Sequence, residues 1–213
     1  TLVTDTIISI GAANDAAAKL EEQGFHSVIA PAIPYGVTEC AAAFPGAISV
    51  AEEALVSFVG AVVDGYLASG ALHVCVVNNH LEPAQDQAVR KVLEGRAQVS
   101  VACPLTRKWA RTLTTEFKRG ACHAGQYETS IVMACAPELV AEEVREGLGE
   151  VDVSLSDNIR AGITDFQQMG MERAYAGAPA AATAEEGRAS LALLGDMIVG
   201  EVLGVCAPSS SEG

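Results

Sequence analysis

The sequence predicts an α/β fold, a mainly parallel sheet covered on both faces by helices. Three observations carry that expectation. Apolar runs of strand length alternate with longer stretches of helical apolar period. The chain is rich in Ala and Val, punctuated by 20 glycines and poor in aromatics at 5%, which suits closely packed helices on a sheet better than a β-sandwich. Half of the 213 residues are hydrophobic, enough to bury one sizeable core.

The elements follow in order. Residues 6–22 place Ile7, Ile8, Ala12, Ala16 and Leu20 at helical spacing and stop before Gly24. Residues 27–33 form a short apolar run ended by Pro34, the pattern of a buried strand. Residues 51–67 read as a second helix, closed near Gly70, and residues 73–77 as a second buried strand. A third helix is expected over 82–93, with Pro83 acceptable in its first turn. A strand over 98–102 and a fourth helix over 105–117 complete the alternation. Beyond it, residues 131–136 suit helix or strand, residues 176–184 a loop, and residues 185–205 a long terminal helix. No repeat or linker divides the chain, so residues 1–206 are expected to form one domain and 207–213 a disordered tail.

The formal charge is −14, which repels nucleic-acid backbones and anionic lipid and leaves both as poor partners. No run of eighteen apolar residues and no signal-peptide pattern is present. The 6 cysteines are widely spaced, without a Cys-x-x-Cys pair. They read as reduced, mostly buried thiols of a cytoplasmic protein.

Ligands of open α/β sheets gather beyond the carboxyl ends of the strands. Asn78-Asn79-His80-Leu81-Glu82-Pro83 lies there. In an extended chain His80 and Glu82 point to the same side, half of a Zn²⁺ or Mn²⁺ site. The same spacing is met by a polar loop whose Glu82 favours the next helix N-terminus. A second polar cluster, His123-Ala124-Gly125-Gln126-Tyr127-Glu128-Thr129-Ser130, offers a general acid or base, or a capped helix start. Asp5, before the first helix, is a ligand candidate or an N-cap. The loop from Ile33 through Gly46 shapes a pocket or merely connects, with Tyr35 and Glu39 as weaker candidates.

Taken together and in this order, the segments resemble the creatininase (creatinine amidohydrolase) family over nearly the whole chain. Thr4-Asp5-Thr6, Pro31 to Gly36, Phe44 to Ser49 and Asn78-Asn79-His80 each match a family segment, and His123-Ala124-Gly125-Gln126-Tyr127-Glu128-Thr129-Ser130 carries the specific signature. The resemblance implies a three-layer αβα sandwich, a homo-oligomer (commonly a hexamer) and a two-metal centre holding Zn²⁺ or Mn²⁺. It implies Asp5, His80 and Glu82 as metal ligands, and His123 and Glu128 as catalytic residues near substrate or metal. The implied activity is hydrolysis of a small non-peptide amide, cyclic amides included. The family also carries a strand and a Glu-x-His ligand pair before the Thr-Asp-Thr segment. Three accounts of their place are open here: a separate, cleaved N-terminal fragment, a truncated chain, or a reduced metal site; the first, a fragment that supplies both ligands, is the expectation. Two other readings stand beside this one. Thr1 could serve as an N-terminal nucleophile generated by self-cleavage. The chain could also be a metal-free member that binds a small molecule or assembles with partners.

Overall fold

The computed structural model describes residues 2–206, with Cys206 by its backbone alone. Thr1 and the expected tail at 207–213 lie outside the described residues. The elements run α1 (Thr4–Glu22), α2 (Glu52–Ala68), β1 (Val74–Val77), α3 (Pro83–Lys91), β2 (Val99–Ala102), α4 (Arg107–Ala110) and α5 (Thr115–Arg119). They continue with α6 (Gln126–Cys135), α7 (Glu142–Glu146), α8 (Leu155–Arg160) and α9 (Ala184–Cys206). Single 3₁₀ turns sit at Pro137–Leu139 and Pro179–Ala181.

β1 and β2 pair in parallel, Val74 opposite Val99 and Val77 opposite Ala102. Alternation along β1 sorts its side chains between two helical layers. Val74 and Val76 pack on the cluster of Leu55, Val59 and Val63 from α2, Ala88 from α3 and Val92 just beyond it. Cys75 and Val77 pack on the cluster built from Ile8 and Ala12 of α1, Ile131 of α6, and Leu194 and Met197 of α9. α1 buries Ile8, Ala12, Ala16 and Leu20, one stripe at four-residue spacing. Helices therefore cover both faces of the strand pair, as the α/β expectation requires.

The wide parallel sheet is not found: among the described residues it has two strands. The expected strand over 27–33 is irregular, and Val28 is 81% exposed. A strand exists through its ladder, and residues 26–35 make no backbone–backbone hydrogen bond among the described residues. Beside this segment lies a cleft of about 1950 Å³, bordered also by α1, α2 and β1. β1 turns toward that cleft and is only half-buried, whereas β2 is buried throughout.

The expected helix over 105–117 is two short helices. The Thr112 hydroxyl donates to the Trp109 carbonyl at 2.7 Å, and Thr114 caps α5 by accepting from the Phe117 N–H at 3.3 Å. Such local side-chain bonds compete with a continuous helix. The ambiguous run at 131–136 is helical through Cys135, the end of α6, with Ala136 as the C-cap. Cys40 and Cys103 are buried, Cys75 and Cys122 half-buried and Cys135 exposed, all five free thiols.

At Gly187 the backbone of α9 lies against that of α6, so that an added Cβ would overlap the Ser130 backbone carbonyl. Gly187→Ala is expected to lower the unfolding free energy by about 1–3 kcal/mol through overpacking, against its gain in helix propensity. Urea unfolding would read this; an unchanged or raised midpoint would show that the helices yield there without cost.

Candidate functional site

Four backbone decisions assemble the site. Asp5 lies in the first turn of α1, whose N-cap position is taken by Val3. Asp5 is thus not the N-cap, and its carboxylate is free to reach sideways. The turn after β1 is locked by asparagines: the Asn78 N–H extends the ladder to Ala102, its side chain accepts from the His80 N–H at 3.2 Å, and the Asn79 amide donates to Ser9 on α1 at 3.0 Å. Glu82 occupies the N-cap position of α3 without a side-chain capping bond. α6 begins at Gln126 after Gly125, which puts Glu128 in its first turn.

These decisions bring three of the expected residues into one row. His80 Nδ1 lies 3.1 Å from Asp5 Oδ2, and His80 Nε2 lies 3.0 Å from the Val37 carbonyl and 3.7 Å from Glu82 Oε2. A carboxylate on one nitrogen and a carbonyl on the other are both acceptors, so the ring is set to donate from both as an imidazolium. Burial acts to depress the His80 pKa, but the hydrogen bonds and charges of Asp5 and Glu82 outweigh it and push it up to about 10. Glu82 is 7% exposed. Its oxygens accept from the Glu39 N–H at 2.8 Å and the Cys40 N–H at 3.3 Å. Burial alone would raise its pKa; His80 and the two N–H donors hold it below the usual range. Glu82 therefore orders the 36–40 loop rather than its own helix end.

His123 and Glu128 line the same cleft as Asp5 and His80. The His123 ring packs on Phe166 at 4.6 Å between centroids. Burial lowers its pKa to about 4; the nearby carboxylates of Asp5 and Glu82 oppose the drop and His80 adds to it. Burial thus takes His123 out of the near-neutral range in which a free imidazole titrates. Glu128, 4% exposed, accepts from the Ala124 N–H at 2.8 Å. Burial, then the charge of Asp5, push its pKa up to about 8. Tyr35 and Glu39 are exposed.

A profile of the family described as Creatininase, creatinine amidohydrolase, matches residues 1–202. The chain belongs to the creatininase family. No curated protein matches the sequence. Solved structures are similar in fold. A provisionally named creatinine amidohydrolase from Bacteroides fragilis NCTC 9343 has a TM-score of 0.69 at 18% identity, over 98% of this chain and 84% of that one. A structure named Creatininase Mn has a TM-score of 0.62 at 18% identity, over 96% and 84%. A mutant creatininase of Zn–Zn type has a TM-score of 0.61 at 17% identity, over 96% and 84%.

In this creatininase-family chain the donor set of one imidazole and two carboxylates suits Zn²⁺ or Mn²⁺ chemically. The paired carboxylates require a cation, and the imidazolium of His80 supplies it. Among the described residues no three His, Cys, Asp or Glu side chains surround one ion-sized point. A metal would have to take the place of a proton on His80.

Sequence reasoning missed the residues that aim the site. Gln85 accepts from the Val37 N–H at 2.8 Å, and a Cβ on Gly36 would come within 2.5 Å of its oxygen. A Gln one turn into a helix carries no signal of such a contact.

Glu128 offers a direct test. Its folded-state pKa near 8 lies above the ordinary value of 4.5, so its contribution to stability is intact below the ordinary value and lost as pH rises through the folded one. Glu128→Gln, which stays neutral, is expected to lose less stability than wild type between about pH 4.5 and about pH 8. Melting temperatures against pH would read this; parallel curves would remove Glu128 as a proton holder.

Proposed function

We propose that this chain is a metal-dependent amidohydrolase that cleaves the C–N bond of a small, creatinine-like amide. The observation that carries this reading is the row Asp5–His80–Glu82 at the carboxyl end of β1, beside a cleft that His123 and Glu128 also line. Asp5, His80 and Glu82 are the donors that would hold Zn²⁺ or Mn²⁺; with Asp5 at one nitrogen of the His80 ring and Glu82 at the other, a single ion would take His80 with one carboxylate and leave the second carboxylate to another ion. When bound, such a metal acidifies a water and polarises the amide carbonyl.

The chain's own groups divide the remaining work. Glu128, with its pKa near 8, keeps its proton at neutral pH and can deliver it to the departing nitrogen. His123, with its pKa near 4, stays neutral and offers a lone pair to a donor on the substrate. The Phe166 ring on His123 fixes that imidazole. The burial of Glu128 keeps bulk water from competing for its proton.

A further extended segment belongs to this reading as a partner. β1 has a strand neighbour on one edge alone among the described residues. The cleft on its other side is flanked by the exposed apolar residues Val28, Ile29 and Ile33. A strand laid there would pair with β1, cover that surface and end beside His80, where it could add Glu-x-His ligands. Native mass spectrometry decides this point: an active assembly with two metals and no polypeptide in the cleft beyond these 213 residues would overturn it.

The activity test uses creatinine as probe with added Mn²⁺ or Zn²⁺. Hydrolysis is expected, and is expected to vanish in His80→Ala with the far-ultraviolet circular dichroism unchanged, because His80 sits in a turn outside the core. Full turnover in that variant would place the chemistry elsewhere.

A further inference from the structure

The signature segment from His123 to Glu128 is held in place by a residue that lies outside it. Glu116, in α5, spans two loops: Oε1 accepts from the Tyr127 N–H at 2.8 Å, and Oε2 accepts from the Ala178 N–H at 2.8 Å. The Tyr127 N–H is one of the donors left unpaired in the first turn of α6, the turn that carries Glu128. The Ala178 N–H belongs to the segment whose Ala176 N–H donates to the His123 carbonyl at 2.8 Å. One carboxylate thus ties the two strands of backbone that meet at His123.

The backbone is shaped to admit it. A Cβ on Gly125 would lie 2.6 Å from Glu116 Oε1, and one on Gly177 would overlap Oε2. Gly177 also has φ of +100°, a conformation that other residues rarely adopt. Between the two tied points, Ala124 is held at φ of +51°, an unfavourable angle for a residue with a side chain. Its N–H points at Glu128. Without an anchor on each side, a segment holding such an angle would relax, and His123 and Glu128 would move with it.

We propose that Glu116 is a positioning residue of this site: its carboxylate clamps the first turn of α6 to the 176–178 segment and so sets the relative placement of His123 and Glu128. The proposal rests on the amidohydrolase reading for its kinetic consequence alone. An ionised carboxylate makes two charge-assisted bonds here; a glutamine can accept at one oxygen, while its amide group opposes the other N–H.

The test compares wild type, Glu116→Gln and Glu116→Asp, with creatinine and Mn²⁺ as probe and backbone amide exchange as a second readout. Glu116→Gln is expected to lower kcat by between about tenfold and a hundredfold with KM nearly unchanged. Glu116→Asp, which keeps two acceptor oxygens, is expected to recover part of that loss. Tyr127 and Ala178 amides are expected to be protected in wild type and to exchange faster in Glu116→Gln. A Glu116→Gln enzyme that melts earlier but keeps its kcat would show a merely structural role and overturn the proposal. So would fast exchange of both amides in wild type, a result available even if no variant folds. If wild type leaves creatinine intact, the functional reading fails on its own, and the amide exchange with the His123 ring resonances in Glu116→Gln judges the clamp. Unchanged exchange and resonances would overturn it.

Discussion

The packing of α9 against α1 and α6 is the constraint on which the rest of the structure depends. Ile8 and Ala12 of α1, Ile131 of α6, and Leu194, Met197 and Ile198 of α9 share one buried cluster. Gly187 lets α9 touch the backbone of α6 at Ser130. Each partner helix carries a site carboxylate in its first turn, Asp5 on α1 and Glu128 on α6. Because interiors are close-packed, their side chains in well-defined rotamers, the core passes little freedom to those turns. Asp5 and Glu128 take their placement from these rigid elements, whereas His80 lies in a turn and His123 in a loop, each held by local hydrogen bonds.

The second constraint is electrostatic. A chain of net charge −14 gathers several carboxylates at one sheet end, and their surroundings push their proton affinities apart. Glu82 meets an imidazole and two N–H donors and stays ionised. Glu128 meets burial and the charge of Asp5, with one N–H to offset them, and holds its proton. The two histidines divide the same way. His80 lies between carboxylates and gains a proton, while His123 is buried against Phe166 and loses it. Groups of one chemical type thus have their proton affinities pushed in opposite directions within one small region.

The cleft itself follows from what β1 lacks. A parallel strand buried on both faces is expected to have neighbours on both edges. Here β1 has one among the described residues, and the 24–36 segment faces it across the gap. Val28, Ile29 and Ile33 remain apolar and exposed there, which is the composition of a strand in the environment of a loop.

By itself the sequence determined the elements whose signal is local. The stripe of Ile8, Ala12, Ala16 and Leu20 marks α1, the apolar run through Val77 marks β1, and the motif order marks the family. It also marked Asp5, His80, Glu82, His123 and Glu128 as candidates, because polar residues beyond a strand end or at a helix start are visible in one dimension, while their roles came from the resemblance alone. What it could not determine depends on neighbours distant in the chain. Residues 27–33 have the composition of a strand, but a ladder needs a partner. The break between α4 and α5 turns on hydroxyls that bond to local backbone. The proton affinities of His123 and Glu128 were set by burial. Gln85 and Glu116 reach their loops across the fold, and no pattern along the chain announces such a contact. Periodicity reports which face of an element is buried; only the assembled structure decides what that face meets.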